Sequence, residues 1–475
     1  MKGFIIAAAS SGAGKTTVSM GLMAAFKKRG LICQPFKVGP DFIDPGYHSI
    51  VCGRPSINLD SWMMPQRYVI ESFWQHAEGA DIAIIEGVMG LLDGGDASSA
   101  EMARILDLPV ILVLDAGGMA ETAGAILYGL KNYDNRLNIA GAILNRVGSD
   151  IHYKMISEAI SGRWGAELFG YMRKDEAIGI KERHLGLVTA IENRPSDETI
   201  EQLIRTVEEG VDLDTILKKV EVKAKVMKKA EAEVKDFLNL NLNLNLLFSP
   251  QPQPKPKPSS KKVRLAVAYD EAFSFYYQDN LDMLEARGAE LCWFSPLKDQ
   301  RLPEGIEGIY IGGGYPEVYA EILDRNIPIK EEIRNLAEDG LPIYAECGGM
   351  IYLSQGILSG DGIFYKMAGI IPKRARMEKK LEAIGYREVE LLKDCILGRK
   401  GNRIRGHEFH YSRLEGNPHD YNGKKIEYLY QVTDKRGSIS VEGFGYKNLV
   451  ASYIHLHFAS NMAVAERFVE AMGGY

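Results

Sequence analysis

Cysteine is scarce: the 475-residue chain has five, Cys33, Cys52, Cys292, Cys347 and Cys395, an odd number with no C-x-x-C spacing. That excludes a disulfide-stapled secreted scaffold and a cysteine-rich zinc module, and it fits a reducing, cytoplasmic setting. Positive charge is not in excess either, since 57 Lys and Arg face 63 Asp and Glu for a formal net charge of −6. This argues against a nucleic-acid surface built on bulk basic charge and leaves room for a local basic patch that takes an acidic small molecule. The apolar stretch Gly3–Ala9 is far short of the ~20 residues of a membrane span. It leads into a glycine loop rather than a cleavage site, so it reads as a buried first strand, with no membrane partner.

What the chain does have is ordinary globular material, 46% hydrophobic and 25% charged, in a length too great for one core. In the first half, apolar Phe4–Ala8, Val110–Leu114 and Ile139–Leu144 alternate with helix-like Thr17–Arg29, Thr122–Lys131 and Tyr153–Ile160. That alternation predicts an α/β domain with a parallel sheet wrapped by helices. Residues 236–262 change character, to alternating Leu and Asn and then Pro-Gln-Pro-Gln-Pro-Lys-Pro-Lys-Pro. Repeated prolines remove backbone donors and favour extended chain, which marks a spacer. A second α/β pattern follows, with apolar Leu265–Ala268, helical Leu281–Arg287, and strands Gly308–Ile311 and Pro342–Ala345 that each run into glycines. The expected organisation is therefore a domain at 1–235, a linker at 236–262 and a domain at 263–475.

The first strand empties into Ser11-Gly12-Ala13-Gly14-Lys15-Thr16-Thr17 and then a helix. Glycines there let backbone N–H groups converge on phosphate oxygens, Lys15 reaches the outer phosphates and the Thr16 hydroxyl suits Mg²⁺, so ATP is the expected ligand. Ala9 stands where the strict motif has its first glycine. A second apolar run, Ile82–Ile85, delivers Glu86 to a strand end before Gly87, a place that suits a Mg²⁺ carboxylate. Between them Lys37, Asp41 and Asp44 fall within eight residues punctuated by Gly and Pro. Such a loop fits phosphoryl transfer to a carboxylate, with the lysine neutralising the moving phosphoryl group and an acid holding metal or acceptor; ordinary salt bridges in a turn are the plainer alternative.

Cys347 lies in Ala345-Glu346-Cys347-Gly348-Gly349, a strand-to-helix turn of the kind that exposes a nucleophile. The helix N-terminus is expected to lower the thiol pKa, and neighbouring amides, with those of Gly312–Gly314, to form an oxyanion hole. The other cysteines read as small buried hydrophobes. For the base, period-two alternation in Ala451–Phe458 would put His455 and His457 on one strand face. His455 is preferred, while His407 and His410 compete for the role.

Together these motifs resemble the cobyrinate a,c-diamide synthase family. The resemblance rests on Ser11–Thr17, Gln34–His48, Asn58–Met63, Glu86–Gly90 and Glu182–Leu187. In the second half it rests on Asp270–Tyr277, Gly312–Glu317, Ala345–Tyr352, Gly406–Ser412 and Ala451–Asn461. It implies a phosphate-loop synthetase half similar to dethiobiotin synthetase and a triad-type glutamine amidotransferase half. Ammonia from glutamine would amidate the a and c carboxylates of cobyrinate through a phosphorylated intermediate in cobalamin biosynthesis, passing between the halves. By the same resemblance Cys347 is nucleophile and His455 its activator, with the third acid of the triad often absent. Lys15 and Thr16 serve ATP, Asp41 and Asp44 the metal, acceptor or intermediate, Asp60 joins the metal set, and Asn145 contacts adenine. A homodimer is compatible with this reading. Nickel-sirohydrochlorin is the rival substrate, and a phosphate-loop switch ATPase with a ligand-binding second domain is the rival class.

Overall fold

The apolar runs of the first half become strands and the amphipathic runs helices, in the order β1 (Lys2–Ala8), α1 (Lys15–Lys28), β2 (Cys33–Val38), α2 (Ile43–Cys52), β3 (Ile57–Leu59), α3 (Gln66–Ala77), β4 (Ile82–Glu86), α4 (Ser99–Leu106), β5 (Val110–Asp115), α5 (Glu121–Tyr133), β6 (Ile139–Val147), α6 (Asp150–Ile160) and β7 (Glu167–Arg173). The computed structural model describes residues 1–174, 182–183, 186–221, 262–416 and 426–474. The 236–262 linker, apart from Lys262, lies outside the described residues, as do His184 and Leu185. Two compact units are present, Met1–Pro254 and Lys255–Tyr475, and among the described residues no helix is long and apolar enough to cross a membrane.

In the first unit all seven strands pair in parallel, in the order β3-β2-β4-β1-β5-β6-β7. The central strands are buried on both faces, which is why they read as unbroken apolar runs rather than alternating ones. A short hairpin, β8 (Glu182–Arg183) with β9 (Gly186–Leu187), precedes α7 (Asp197–Gly210) and α8 (Leu213–Lys219). Ser98, Ser149, Ser196 and Asp212 accept main-chain N–H bonds at the starts of α4, α6, α7 and α8, fixing where each helix begins. Pro35 sits within β2 just before the point where β3 begins pairing, opposite Phe36, a place where a missing N–H is tolerated.

The second unit begins with β10 (Val263–Ala268), α9 (Gln278–Ala286), β11 (Ala289–Phe294), β12 (Gly308–Ile311), α10 (Ala320–Arg325), α11 (Ile327–Asp339), β13 (Ile343–Glu346) and α12 (Gly348–Leu353). Then come β14 (Ser354–Leu358), β15 (Phe364–Lys366), β16 (Ile371–Met377), β17 (Ala383–Leu391), β18 (Arg403–His410), β19 (Ser412–Glu415), β20 (Glu427–Asp434), β21 (Ile439–Tyr446), β22 (Leu449–Ser452), β23 (His455–Leu456) and α13 (Ala463–Gly473). The ten-stranded sheet runs β11-β10-β12-β13-β22-β21-β20-β17-β18-β23. It is parallel from β11 to β22 and antiparallel beyond. A smaller sheet, β15-β14-β16-β19, stands beside it. Only Tyr453 and Ile454 separate β22 from β23, yet four strands lie between them in the sheet. The antiparallel half therefore curls until its last strand returns beside the end of β22, carrying β18 over the end of β13.

Ile84 is fully buried at the middle of β4, opposite Phe4 and Pro35 on its two neighbours. Ile84→Ala should cost about 3 kcal/mol, read as a lower urea midpoint with an unchanged slope for the transition that reports the first unit.

Candidate functional site

The phosphate-loop side is built where β1, β2 and β4 end together. Gly14 precedes α1 at φ 88°, a conformation that a β-carbon disfavours. A β-carbon there would also strike the Asn145 amide at 2.1 Å. Lys15 bends back to donate to the Met89 carbonyl at 2.5 Å and the Ser10 carbonyl at 3.4 Å. Burial, and then the charge of Lys37, hold its ammonium below the ordinary lysine value. Thr16 Oγ1 donates to Glu86 Oε1 at 2.7 Å.

Glu86 is fully buried. Its carboxylate takes Lys37 Nζ at 2.9 Å and His48 Nε2 at 2.7 Å. Burial alone would raise its pKa, but the Lys37 charge and the His48 hydrogen bond outweigh it and hold the carboxyl well below the usual range. Lys37 also donates to Asp44 at 2.5 Å and faces Asp41 at 3.7 Å. Its burial is outweighed by Asp44, Glu86 and Asp41, so it stays an ammonium. One cation does not neutralise three carboxylates, and burial together with the charge of Asp41 pushes the Asp44 carboxyl well above the ordinary carboxylate value.

The other residues named from sequence are placed as follows. Lys37, expected in a strand-end loop, is in β2, and Asp44 is in the first turn of α2; the apolar neighbours Phe36, Val38 and Tyr47 draw both elements into the core. Asp41 Oδ1 accepts the amides of Ile43 and Asp44, opening that helix. Asn145 lies against the loop, its amide donating to the Ala13 carbonyl at 3.0 Å. Ser11, Gly12, Ala13 and Thr17 complete the loop and first helical turn. Asp60, by contrast, uses Oδ1 to accept the amides of Trp62 and Met63, the geometry of a turn. His48 is a member of this site that has no role assigned above; the signal for it in the sequence is its position four residues after Asp44, on the same helix face.

In the second unit Cys347 follows directly on β13, as the N-cap of α12, at φ 46°, ψ −104°, a strained left-handed turn that only a well-determined surround holds in place. Its amide donates to the Ser452 carbonyl at 2.7 Å, and its thiol lies 3.8 Å from the Phe409 carbonyl of β18. A β-carbon on Gly348 would come within 3.0 Å of the Gly314 nitrogen, and one on Gly313 within 2.3 Å of His455 Cε1. The triglycine turn therefore borders both the cysteine elbow and the His455 ring. The Gly313 amide is already donated to the Phe275 carbonyl, which leaves the Gly314 and Gly348 amides as the candidates for oxyanion donors.

Two expectations need correction. Ala451–Phe458 is not one strand: β22 stops at Ser452, His455 begins β23, and His457 caps a short 3₁₀ turn, Phe458–Ser460. The curl of the sheet imposes that break. The thiol pKa is also not lowered. Burial, and then the nearby charge of Glu317, push it well above the ordinary thiol value, overriding the single-turn helix behind it. Among the competing histidines, His457 packs on Tyr277 with ring centroids 4.8 Å apart, and burial brings it down to about 3, so it is neutral. Burial, and then His455, bring His407 down to about 3 as well. His410 is tied to Glu408 at 2.9 Å and to the Ser412 carbonyl at 2.8 Å, and it stacks on Tyr453.

The comparisons agree with this division. Residues 4–188 match the CobQ/CobB/MinD/ParA nucleotide binding domain, and residues 264–463 the CobB/CobQ-like glutamine amidotransferase domain. Over 99% of its length the chain is 40% identical to 98% of the cobyrinate a,c-diamide synthase of Caldanaerobacter subterraneus subsp. tengcongensis. Over 98% it is 43% identical to 98% of the Picrophilus torridus enzyme of that name, and 42% identical to 97% of the one from Dehalococcoides mccartyi strain CBDB1. With a phosphate loop set on a buried carboxylate in one α/β unit, a strained cysteine elbow in the other, and likeness from end to end, the chain belongs to the cobyrinate a,c-diamide synthase family.

Proposed function

We propose that the chain is the ATP-dependent, glutamine-hydrolysing ligase that converts cobyrinate to its a,c-diamide in cobalamin biosynthesis. The observation that carries the reading is the presence on one chain of two unlike sites: a lysine-bearing phosphate loop against Glu86, and a cysteine held at φ 46° beside a triglycine turn and an imidazole. A switch ATPase with a passive second domain has no use for that strain. We place the synthetase domain at 1–235 and the glutaminase domain at 263–475, joined by the 236–262 linker.

In the synthetase site a substrate carboxylate oxygen attacks the γ-phosphorus of ATP, ADP leaves, and a carboxyl phosphate remains. Ammonia adds at its carbonyl carbon, phosphate departs, and the amide is left. Lys15 and Lys37 meet the charge of the transferring group, and Asp44 is placed to take a proton. The donors beside the loop, Thr16 Oγ1, Glu86 and the half-exposed Asp41, are all oxygens, a set that fits a hard cation. Thr16 and Glu86 would hold Mg²⁺, which when bound neutralises phosphate charge and orients the leaving group.

In the glutaminase site Cys347 Sγ attacks the glutamine amide carbon. Because burial keeps the thiol protonated, the proton moves to His455 as the sulfur attacks and then to the departing ammonia. The Gly314 and Gly348 amides meet the oxyanion, and water releases glutamate from the thioester.

Cys347→Ala should abolish amidation with glutamine and preserve it with ammonium salts, seen by mass spectrometry as replacement of each carboxyl OH by NH₂; loss with both donors would make the cysteine structural. Lys15→Ala should stop ADP release with either nitrogen source, and normal ATP turnover would refute the phosphate-loop role. Lys37→Met leaves Glu86 and Asp44 facing each other without a cation, and should destabilise the protein by about 3–5 kcal/mol. That deficit should narrow as pH falls, because the stranded carboxylates then take up protons, while the wild-type contribution of Glu86, whose pKa is depressed, weakens on acidification. Urea unfolding at several pH values checks both sign and size.

A further inference from the structure

We propose that Glu346 is the positioning acid of the glutaminase site, holding and charging the His455 imidazole; this rests on the reading of His455 as base. Glu346 is the last residue of β13, immediately before the nucleophile, and is 1% exposed. Its Oε2 lies 3.7 Å from His455 Nδ1 and accepts the Tyr310 hydroxyl at 3.1 Å. Its Oε1 accepts the Tyr344 hydroxyl at 2.5 Å and the amide of Leu456, the residue after the base, at 3.0 Å.

Three features give this carboxylate its role. The tyrosine hydroxyls and the amide are neutral donors that satisfy its oxygens without cancelling its charge. By gripping the Leu456 amide it fixes the backbone that carries the imidazole, as well as facing the ring. With Nδ1 turned to the carboxylate, Nε2 is the nitrogen left to take a proton from the thiol. The other candidates for the post are occupied. Glu408 serves Arg387 and His410, Glu442 binds Ser452 and the Tyr453 amide, and two residues beyond the base stands His457, which is neutral. The imidazolium that forms as sulfur attacks is thus stabilised by a fixed negative charge in a dry site.

The test is Glu346→Gln, which keeps the shape and the acceptor for Leu456 but removes the charge. With glutamine as donor, kcat should fall about 100-fold, while KM for glutamine, thermal midpoint and ammonia-driven amidation stay near wild type. A wild-type kcat would overturn the proposal. So would parallel collapse of KM, thermal midpoint and ammonia-driven activity, since that is what a purely structural carboxylate predicts. His455→Ala measured alongside separates the two layers: full glutaminase activity there removes the base itself, whereas loss there with none in Glu346→Gln removes only the role of Glu346. If Glu346→Gln is not recovered folded, Glu346→Asp is read instead, and a kcat equal to wild type with the charge drawn back by a methylene would overturn the proposal.

Discussion

A carboxylate carried by the last residue of a parallel strand and sealed from water has to be met by charge or by hydrogen-bond donors, and this chain solves that problem twice. Glu86 ends β4 and Glu346 ends β13, with 0% and 1% of their surface exposed. Removing one carboxylate from water is a penalty of several kcal/mol, so its neighbours are the groups the surrounding structure is least free to change. Around Glu86 they are Lys37, His48 and Thr16, from a strand and two helices. Around Glu346 they are Tyr310, Tyr344 and the Leu456 amide. The first set contains a buried cation and the second none but the facing imidazole. Glu86 is consequently anchored by a buried cation beside the phosphate loop, whereas Glu346 is met by neutral donors and the imidazole it faces.

Burial acts in opposite senses on Lys15 and Cys347. It lowers the Lys15 ammonium and raises the Cys347 thiol, in each case favouring the neutral form. For a phosphate-binding lysine, the triphosphate's negative charge opposes that lowering when nucleotide arrives. For the thiol the matching event is proton transfer to an imidazole during attack. The ground state of the free protein therefore need not hold a bare thiolate at Cys347, which belongs to the second unit's apolar core cluster.

Much of this was legible in the sequence because it is local. The phosphate loop, the Glu86 strand end and the Cys347 turn each declare themselves within a dozen residues, through glycine placement and apolar runs. The fold class follows from alternation alone. What was not legible depends on register and closure. Nothing in the sequence states that Lys37 pairs across β2 and β4 with Glu86; the local pattern points only to a loop shared with its nearest acids. His48 carried a signal, being four residues from Asp44, but its partner is 38 residues away. The turn at Asp60, whose Oδ1 accepts the amides of Trp62 and Met63, is likewise a matter of local backbone geometry that residue type alone does not state. The thiol pKa failed for a different reason: a helix N-terminus is visible in sequence, the extent of burial is not.

The break between β22 and β23 shows how closure makes the second site. Were Ala451–Phe458 a continuous strand, His455 would run on past Cys347 beside β13, and β18 would have no reason to cross the elbow. Instead the chain leaves the parallel half at Ser452, whose carbonyl holds the Cys347 amide, and two residues later pairs with β18 at the far rim, setting His455 opposite His407 and Leu456 opposite Gly406. The imidazole is thereby tied to both ends of the curled sheet: through β23 to β18, and through the Leu456 amide to Glu346 on β13. Cys347 follows β13 and His455 opens β23, strands six places apart in the ladder, so the separation of thiol and imidazole is set by the curvature of the whole antiparallel half. Twist and coiling of a sheet are collective properties, and the positions that fix this geometry therefore extend along β17, β20 and β21, well beyond the residues that touch the thiol.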